Sequence, residues 1–254
     1  MIQIYSEREF ELIRQAAQII PRAFEMIEPA VVPGITTGEI NRLIDQFIRD
    51  HGAEPSFIGV PGNQGVAPFP AACCISVNEE VVHGLPGKRV LREGDVVGID
   101  VGTRRDGYYG DSARTFAVGV CAPEALKLME VTRQALQAGI SAAVPGHRIG
   151  DIGHAVQQVV DAHGYGIVRE MVGHGVGAAL HEPPEVPNYG RPGVGLLLKP
   201  GMCLALEPMI NIGKGAIKVQ PDGWTVVTAD GSLSVHFEHQ IQITENEPQI
   251  LTEI

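Results

Sequence analysis

The chain has only four cysteines, Cys73, Cys74, Cys121 and Cys203, and none stands in the CxxC spacing of a thiolate zinc site. That scarcity excludes a disulfide scaffold and leaves core thiols as the default. Adjacent Cys73 and Cys74 point to opposite faces of a strand, so at most one of them can face a site. Basic residues are short too. The 19 lysines and arginines stand against 30 aspartates and glutamates, a formal net charge of −11. A nucleic-acid surface needs a basic face or stripe, and this balance leaves room for no more than a small local patch. No run approaches the roughly 18 apolar residues a membrane helix requires. The opening MIQIYSEREFELIRQ, charged from Glu7 onward, lacks the basic start and apolar core of a secretory signal. These absences predict a cytoplasmic globular protein without a membrane partner. Low-complexity tracts are missing, and 254 residues suffice for one large domain or two small ones.

Helical spacing appears first. Phe10, Ile13, Ala17, Ile20 and Phe24 recur on one face of a helix predicted over Ser6 to Ile27, with Ser6 as N-cap, Glu9 completing a capping box, and Pro29 and Pro33 closing it. A second amphipathic helix lies within PGITTGEINRLIDQFIRDHGA, residues 33 to 53, on Ile40, Leu43, Ile44, Phe47 and Ile48, and ends at Gly52. The chain then repeats itself. Residues 145 to 165, PGHRIGDIGHAVQQVVDAHGY, align with 33 to 53 at Pro-Gly, Gly38 with Gly150, Ile40 with Ile152, Gln46 with Gln158 and the closing His-Gly pairs. A helix over Pro123 to Ala143 takes the place of the first one. A period above 100 residues is too long for a solenoid unit, so the prediction is one domain over 1–254 built of two similar halves, roughly 1–121 and 122–254, about a pseudo-twofold axis.

The sharpest signal is VVGIDVGTRRDGYYGDSARTF, residues 96 to 116. Asp100 sits in an apolar strand, Arg104-Arg105-Asp106-Gly107 signals a turn, and Asp111 follows on the return strand. A hairpin would bring both acids to one face, where like charges in an apolar setting repel and are poorly solvated. Either a cation lies between them, or one pairs with Arg104, Arg105 or Arg114, or both reach water at strand ends. The second half favours the cation. His83 followed by Asp100 and Asp111 is matched by His174 followed by Glu207 and Glu238, each set with the same Leu-x-x-Gly spacer. Four carboxylates and one histidine in a shared cleft would hold two divalent cations, which about 3.5–4 Å apart can share a hydroxide nucleophile, so the reaction class is hydrolysis. Oxygen-rich ligation favours manganese, iron(II) or cobalt. Flanking glycines and the repeat single out His83, His174 and His181, whereas His51, His147, His154, His163 and His239 read as ordinary core or surface residues. Gly173 to Ala178 formally fits a dinucleotide fingerprint, but Pro183 and Pro184 cut off the helix that the fingerprint demands.

VNEEVVHGLPG, GIDVG, GYYGDSARTF, GHGVGAALHEPPEVPNYG, MCLALEPM and VHFEHQIQIT, taken in order, resemble the signatures of type I methionine aminopeptidases. The resemblance runs over essentially the whole chain. It implies an α+β pita-bread fold, in which two pseudo-twofold-related halves with a curved antiparallel sheet covered by helices enclose a dinuclear metal site. It implies removal of the initiator methionine from nascent proteins and peptides, preferring a small second residue. By position, Asp111 and Glu238 resemble ligands shared by both metals, Asp100 a ligand to one, and His174 and Glu207 ligands to the other, with Glu207 also the general base. His83 and His181 resemble the histidines that orient the scissile amide and stabilise the tetrahedral intermediate. Phe69, Cys74 and Trp224 resemble walls of the methionine pocket. Val66 and Leu180 stand where aromatic residues are common and predict a shallower or wider pocket, and His236 stands where a glutamine usually precedes the last ligand pair. The family's role further implies nascent N-termini as partners, transient ribosome association and a monomer. Aminopeptidase P, prolidase and creatinase share the constellation but usually carry an extra N-terminal domain. A binding relative without chemistry would have lost ligands that are all present here.

Overall fold

The computed structural model of the protein describes residues 2–253. Two capping boxes begin its first helices. The Ser6 and Glu9 side chains reciprocally satisfy each other's backbone at the start of α1 (Glu7–Ala17), and Thr36 with Glu39 does the same for α3 (Thr37–Asp50). The single helix predicted over Ser6 to Ile27 is instead two, α1 and α2 (Ile19–Ile27), parted at Gln18. Pro21 has no N–H to offer the Ala17 carbonyl, and the Gln18 side chain donates to the carbonyls of Leu251 and Glu253. Helices α4 (Pro123–Ala142) and α5 (Ile149–Asp161) recur in the second half. One backbone bridge follows the same pattern in both halves, Thr36 to Val90 and Arg148 to Leu197, each just ahead of its helix.

The strands of the first half are β1 (Glu54–Pro55), β2 (Cys73–Val77), β3 (Glu80–Val82), β4 (Val96–Arg105) and β5 (Tyr108–Ala117). Those of the second are β6 (Gly166–Ile167), β7 (Gly173–Gly175), β8 (Glu182–Val186), β9 (Cys203–Leu206), β10 (Met209–Asn211), β11 (Ile217–Val219), β12 (Val226–Thr228), β13 (Ser234–His236), β14 (His239–Gln242) and β15 (Gln249–Ile250). Among the described residues the strands pair antiparallel, as in β1-β4-β2 with β5 on β4, and β15-β14-β9-β7-β8. The hairpin β4–β5 turns at Asp106 and Gly107, both at positive φ (51° and 87°), as a two-residue hairpin turn requires.

Each half has its own core on the helical side of its sheet. Ile20, Phe24, Ile40, Ile44 and Ile48 bury against Ile75, Val97, Ile99 and Val101, and Leu128, Leu136, Ile152 and Val156 bury against Leu204, Leu206 and Ile241. Each fully buried side chain of this size stabilises by roughly 1.5–3 kcal/mol. Polar groups stitch the seam between the halves. The Glu238 N–H donates to the Ala113 carbonyl (2.9 Å), Ser112 Oγ to the Glu238 carbonyl (2.6 Å), Thr115 Oγ1 to the His236 carbonyl (2.7 Å), and the Asp111 N–H to Gln240 Oε1 (3.1 Å).

Candidate metal centre

Register decides which acids meet. Asp111 pairs with Gly102 and Asp100 with Ala113, so the two aspartates are diagonal neighbours on one face of the hairpin. In the second half, β14 lies on β9 with His239 opposite Leu206, and β7 lies on β9 with His174 opposite Ala205. Glu238, Glu207 and His174 therefore come side by side at one end of this sheet, and the seam bonds carry them to the hairpin. Ligand atoms of Asp100, Asp111 and Glu238 all fall within 4.8 Å of one another, as do those of His174, Glu207 and Glu238, and those of Asp111, His174 and His181.

None of the arginines weighed as counterions answers these charges. Arg104 pairs with Glu54, Arg105 with Asp106, and Arg114 lies over the rings of Phe24 and Phe116. Asp111 and Glu238 are each only 3 % exposed. Oδ1 of Asp100, Oδ1 of Asp111 and Oε1 of Glu238 are sealed from solvent and have no hydrogen-bond partner among the described residues. Burial pushes the proton affinity of all four acids up, Asp100 to about 7 and Glu207 to about 8, and at Asp111 and Glu238 the neighbouring acids push it further. Protein groups alone leave this cluster uncompensated.

His174 completes the case for a cation. Its Nδ1 lies 2.9 Å from the Gly175 carbonyl, which assigns the proton to that nitrogen and leaves Nε2 as a lone pair. Nε2 faces Glu207 Oε1 at 3.5 Å and Asp111 Oδ2 at 3.8 Å. Acceptors turned on one another in this way suit a divalent ion held between them, with oxygen ligands and one imidazole around it. Burial holds His174 neutral, its pKa brought down to about 4.

Two more histidines border the cluster. His83 follows β3 at a positive φ of 58°, and Gly84 leaves no space for a side chain against the Ile75 carbonyl. Burial, with His236 and His181 nearby, brings its pKa down to about 4. His181 stands at the rim, its ring 4.5 Å from that of His174 and inclined 71° to it, and partial desolvation lowers its pKa. The segment before His181 is tied to the N-terminus, because Tyr5 Oη donates to the Glu182 carboxylate and accepts from the Ala178 N–H, each at 2.8 Å.

A cavity of about 210 Å³ opens beside the acids. Phe69, Cys74, Leu180 and Trp224, all expected in its wall, do line it. Phe69 and Trp224 meet edge to face at 5.1 Å. Cys73 turns away into the helical core, as alternation on β2 requires. Val66 is the exception. It packs against Gly223 and is not among the residues lining the cavity, because the Ala67 carbonyl accepts from Trp224 Nε1 and holds this loop against the edge of the indole. Sequence reasoning missed Phe57, Val60, Met171 and Met209, which also line the cavity, and Gln240, which holds the Asp111 backbone. Gln240 alone had a signal, two residues beyond Glu238 on a strand that alternates faces. His51, His147 and His163 each bond a carbonyl near the end of the helix that precedes them, those of Phe47, Ala142 and Val159, and His239 bonds Thr252. No helix follows Gly173 to Ala178 as a dinucleotide site would require.

Comparison with known proteins agrees with this geometry. The methionine aminopeptidase of Clostridium acetobutylicum is 49 % identical over 253 residues, 99 % of both chains, and methionine aminopeptidase 1 of Bacillus subtilis is 46 % identical over the full length of both. The crystal structure of methionine aminopeptidase from Rickettsia prowazekii superposes with a TM-score of 0.96 at 40 % identity, covering both chains completely. A prolidase from Pyrococcus horikoshii shares the fold alone, at 23 % identity and a TM-score of 0.78 over 63 % of its length. The family model for metallopeptidases of family M24 matches residues 11–245. Pita-bread architecture, clustered acids and whole-length similarity agree that the chain belongs to metallopeptidase family M24.

Proposed function

We propose that this protein is a methionine aminopeptidase, which hydrolyses the first peptide bond of nascent proteins and peptides that begin with methionine, preferring a small second residue. The observation that carries the reading is a single wall. The same cavity that is lined by Phe69, Cys74, Leu180 and Trp224 is also bordered by Asp100, Asp111, His174, Glu207 and Glu238. A thioether fits such an apolar, sulfur- and aromatic-lined recess, and it would lie within reach of the acids.

In this reading Asp111 and Glu238 would be ligands to both cations, Asp100 to one, and His174 with Glu207 to the other. Divalent ions of manganese, iron(II) or cobalt would there lower the pKa of water and offset the negative charge that builds up on the substrate carbonyl. Glu207 takes the proton of the attacking water and returns it to the departing amine. His83 and His181, neutral at pH 7, each have one N–H to donate, to the substrate amide and to its carbonyl oxygen as that becomes tetrahedral. Residues 1–254 act as one catalytic domain, since the halves, roughly 1–121 and 122–254, each supply part of the cage. Four buried free thiols suit a reducing compartment, so we place the enzyme in the cytoplasm, acting as a monomer near the ribosome exit.

The test is cleavage of a peptide series varied at the first and second positions, with metal-stripped protein reloaded with manganese, iron(II) or cobalt. We expect Met-Ala-Ser to be cleaved only with metal, and Met-Leu-Ser poorly. Cleavage of Xaa-Pro peptides in preference to Met-Ala-Ser would assign the protein to the prolidase and aminopeptidase P group instead.

A further inference from the structure

His236 belongs neither to the groups that could hold a metal nor to the cavity wall. It is 4 % exposed, in β13 opposite Met209 of β10, with its backbone held on both sides by Thr115 Oγ1. Its Nε2 is sealed from solvent and bonds nothing among the described residues. The carboxylate oxygen nearest to it is Glu207 Oε2 at 3.6 Å, and Asp100 lies close enough for its charge to be felt as well. The separation from Glu207 is too short for an intervening water and a little long for a formed hydrogen bond, and such bonds in ligand-free sites commonly tighten once the site is filled.

Glu207 thus lies between two imidazoles, one for each oxygen. Oε1 faces His174 Nε2 at 3.5 Å, and Oε2 faces His236 Nε2 at 3.6 Å. The two rings cannot play the same part. Gly175 holds the proton of His174 on Nδ1, so its Nε2 is a lone pair and the space toward Oε1 suits a cation. Nothing among the described residues bonds Nδ1 of His236, so its proton is free to sit on Nε2 and point at Oε2.

We infer that His236 is a positioning residue for Glu207, its Nε2–H holding Oε2 so that Oε1 stays turned toward the metal side. The inference rests on the proposed role of Glu207 and adds to it the group that fixes that carboxylate.

Two polar replacements separate this from a packing role. In His236→Gln the amide nitrogen falls near the position of Nε2, whereas in His236→Asn it reaches only as far as Nδ1. Cobalt(II) titration of metal-stripped protein by calorimetry, the visible spectrum of the cobalt form, and kcat and KM for Met-Ala-Ser are measured for each. We expect His236→Gln to keep kcat within about threefold. His236→Asn should lose about 10–100-fold in kcat with KM little changed, bind cobalt(II) more weakly by a similar factor and alter the cobalt spectrum, the usual scale for removing a group that orients a ligand. Equal behaviour of a folded Asn variant and wild type in kcat and cobalt affinity overturns the inference, as does a Gln variant as impaired as Asn. If circular dichroism shows that the Asn variant does not fold, His236→Leu is read by the same criteria. Wild type that binds cobalt(II) but leaves Met-Ala-Ser intact would overturn the proposed activity, while the difference between the variants in cobalt binding would still decide the role of His236.

Discussion

At Glu238 two demands meet in one residue. Its backbone N–H and carbonyl hold the seam between the halves, while its side chain joins the acid cluster with an oxygen that nothing bonds. Glu238→Gln keeps the shape and the seam but removes a charge that its neighbours repel. We expect it to lower kcat/KM at least about 100-fold, as loss of a metal ligand should, and to raise the melting temperature of the metal-stripped protein above that of stripped wild type at pH 8. A variant retaining a tenth of the activity, or melting lower, would remove Glu238 from the cage. Such residues were legible because a strand alternates faces. With a two-residue turn, Asp100 in an apolar run and Asp111 on the return strand fall on one face, and the second half repeats the signal. Met171, Met209 and Phe57 gave no such notice, since an apolar residue facing a cavity looks in sequence like one facing a core.

Elements place these residues, and their placement depends on backbone approaches that leave no slack. The turn after β3 sets His83 at positive φ, and Gly84 passes against the Ile75 carbonyl so closely that a methyl group there meets it. Overpacking of this kind costs roughly 1–3 kcal/mol. Gly84→Ala should therefore lower the urea midpoint and, by displacing His83, reduce kcat for Met-Ala-Ser more than cobalt(II) affinity. Unchanged stability and kcat would show that the turn tolerates a side chain. Capping boxes and turns of this sort were readable because their chemistry is local, Ser6 with Glu9 or Asp106 with Gly107. The break at Gln18 and the pairing of β3 with β12 were not. The first had one local mark in Pro21, but the contacts that hold it, from Gln18 to Leu251 and Glu253, are distant in sequence; the second joins strands far apart and leaves no local mark.

Over the whole molecule the uncompensated acids link stability to pH and metal. Folding raises the pKa of Asp100 from 3.8 to about 7 and that of Glu207 from 4.5 to about 8. Without metal the folded state therefore binds more protons than the unfolded chain between about pH 4 and 8, and its stability falls as pH rises through that window. We expect the melting temperature of metal-stripped protein to drop from pH 5 to pH 8, and manganese or cobalt(II) to restore it at pH 8 with release of protons. A flat profile in the stripped protein would mean that the acids are compensated by something other than a cation.

The cage spans the seam, so its parts are not synthesised together. Asp100 and Asp111 emerge early in translation and Glu207 and Glu238 late. A chain that stops short of Glu207 and Glu238 therefore lacks two of the four acids, and the site is complete only when both halves are present.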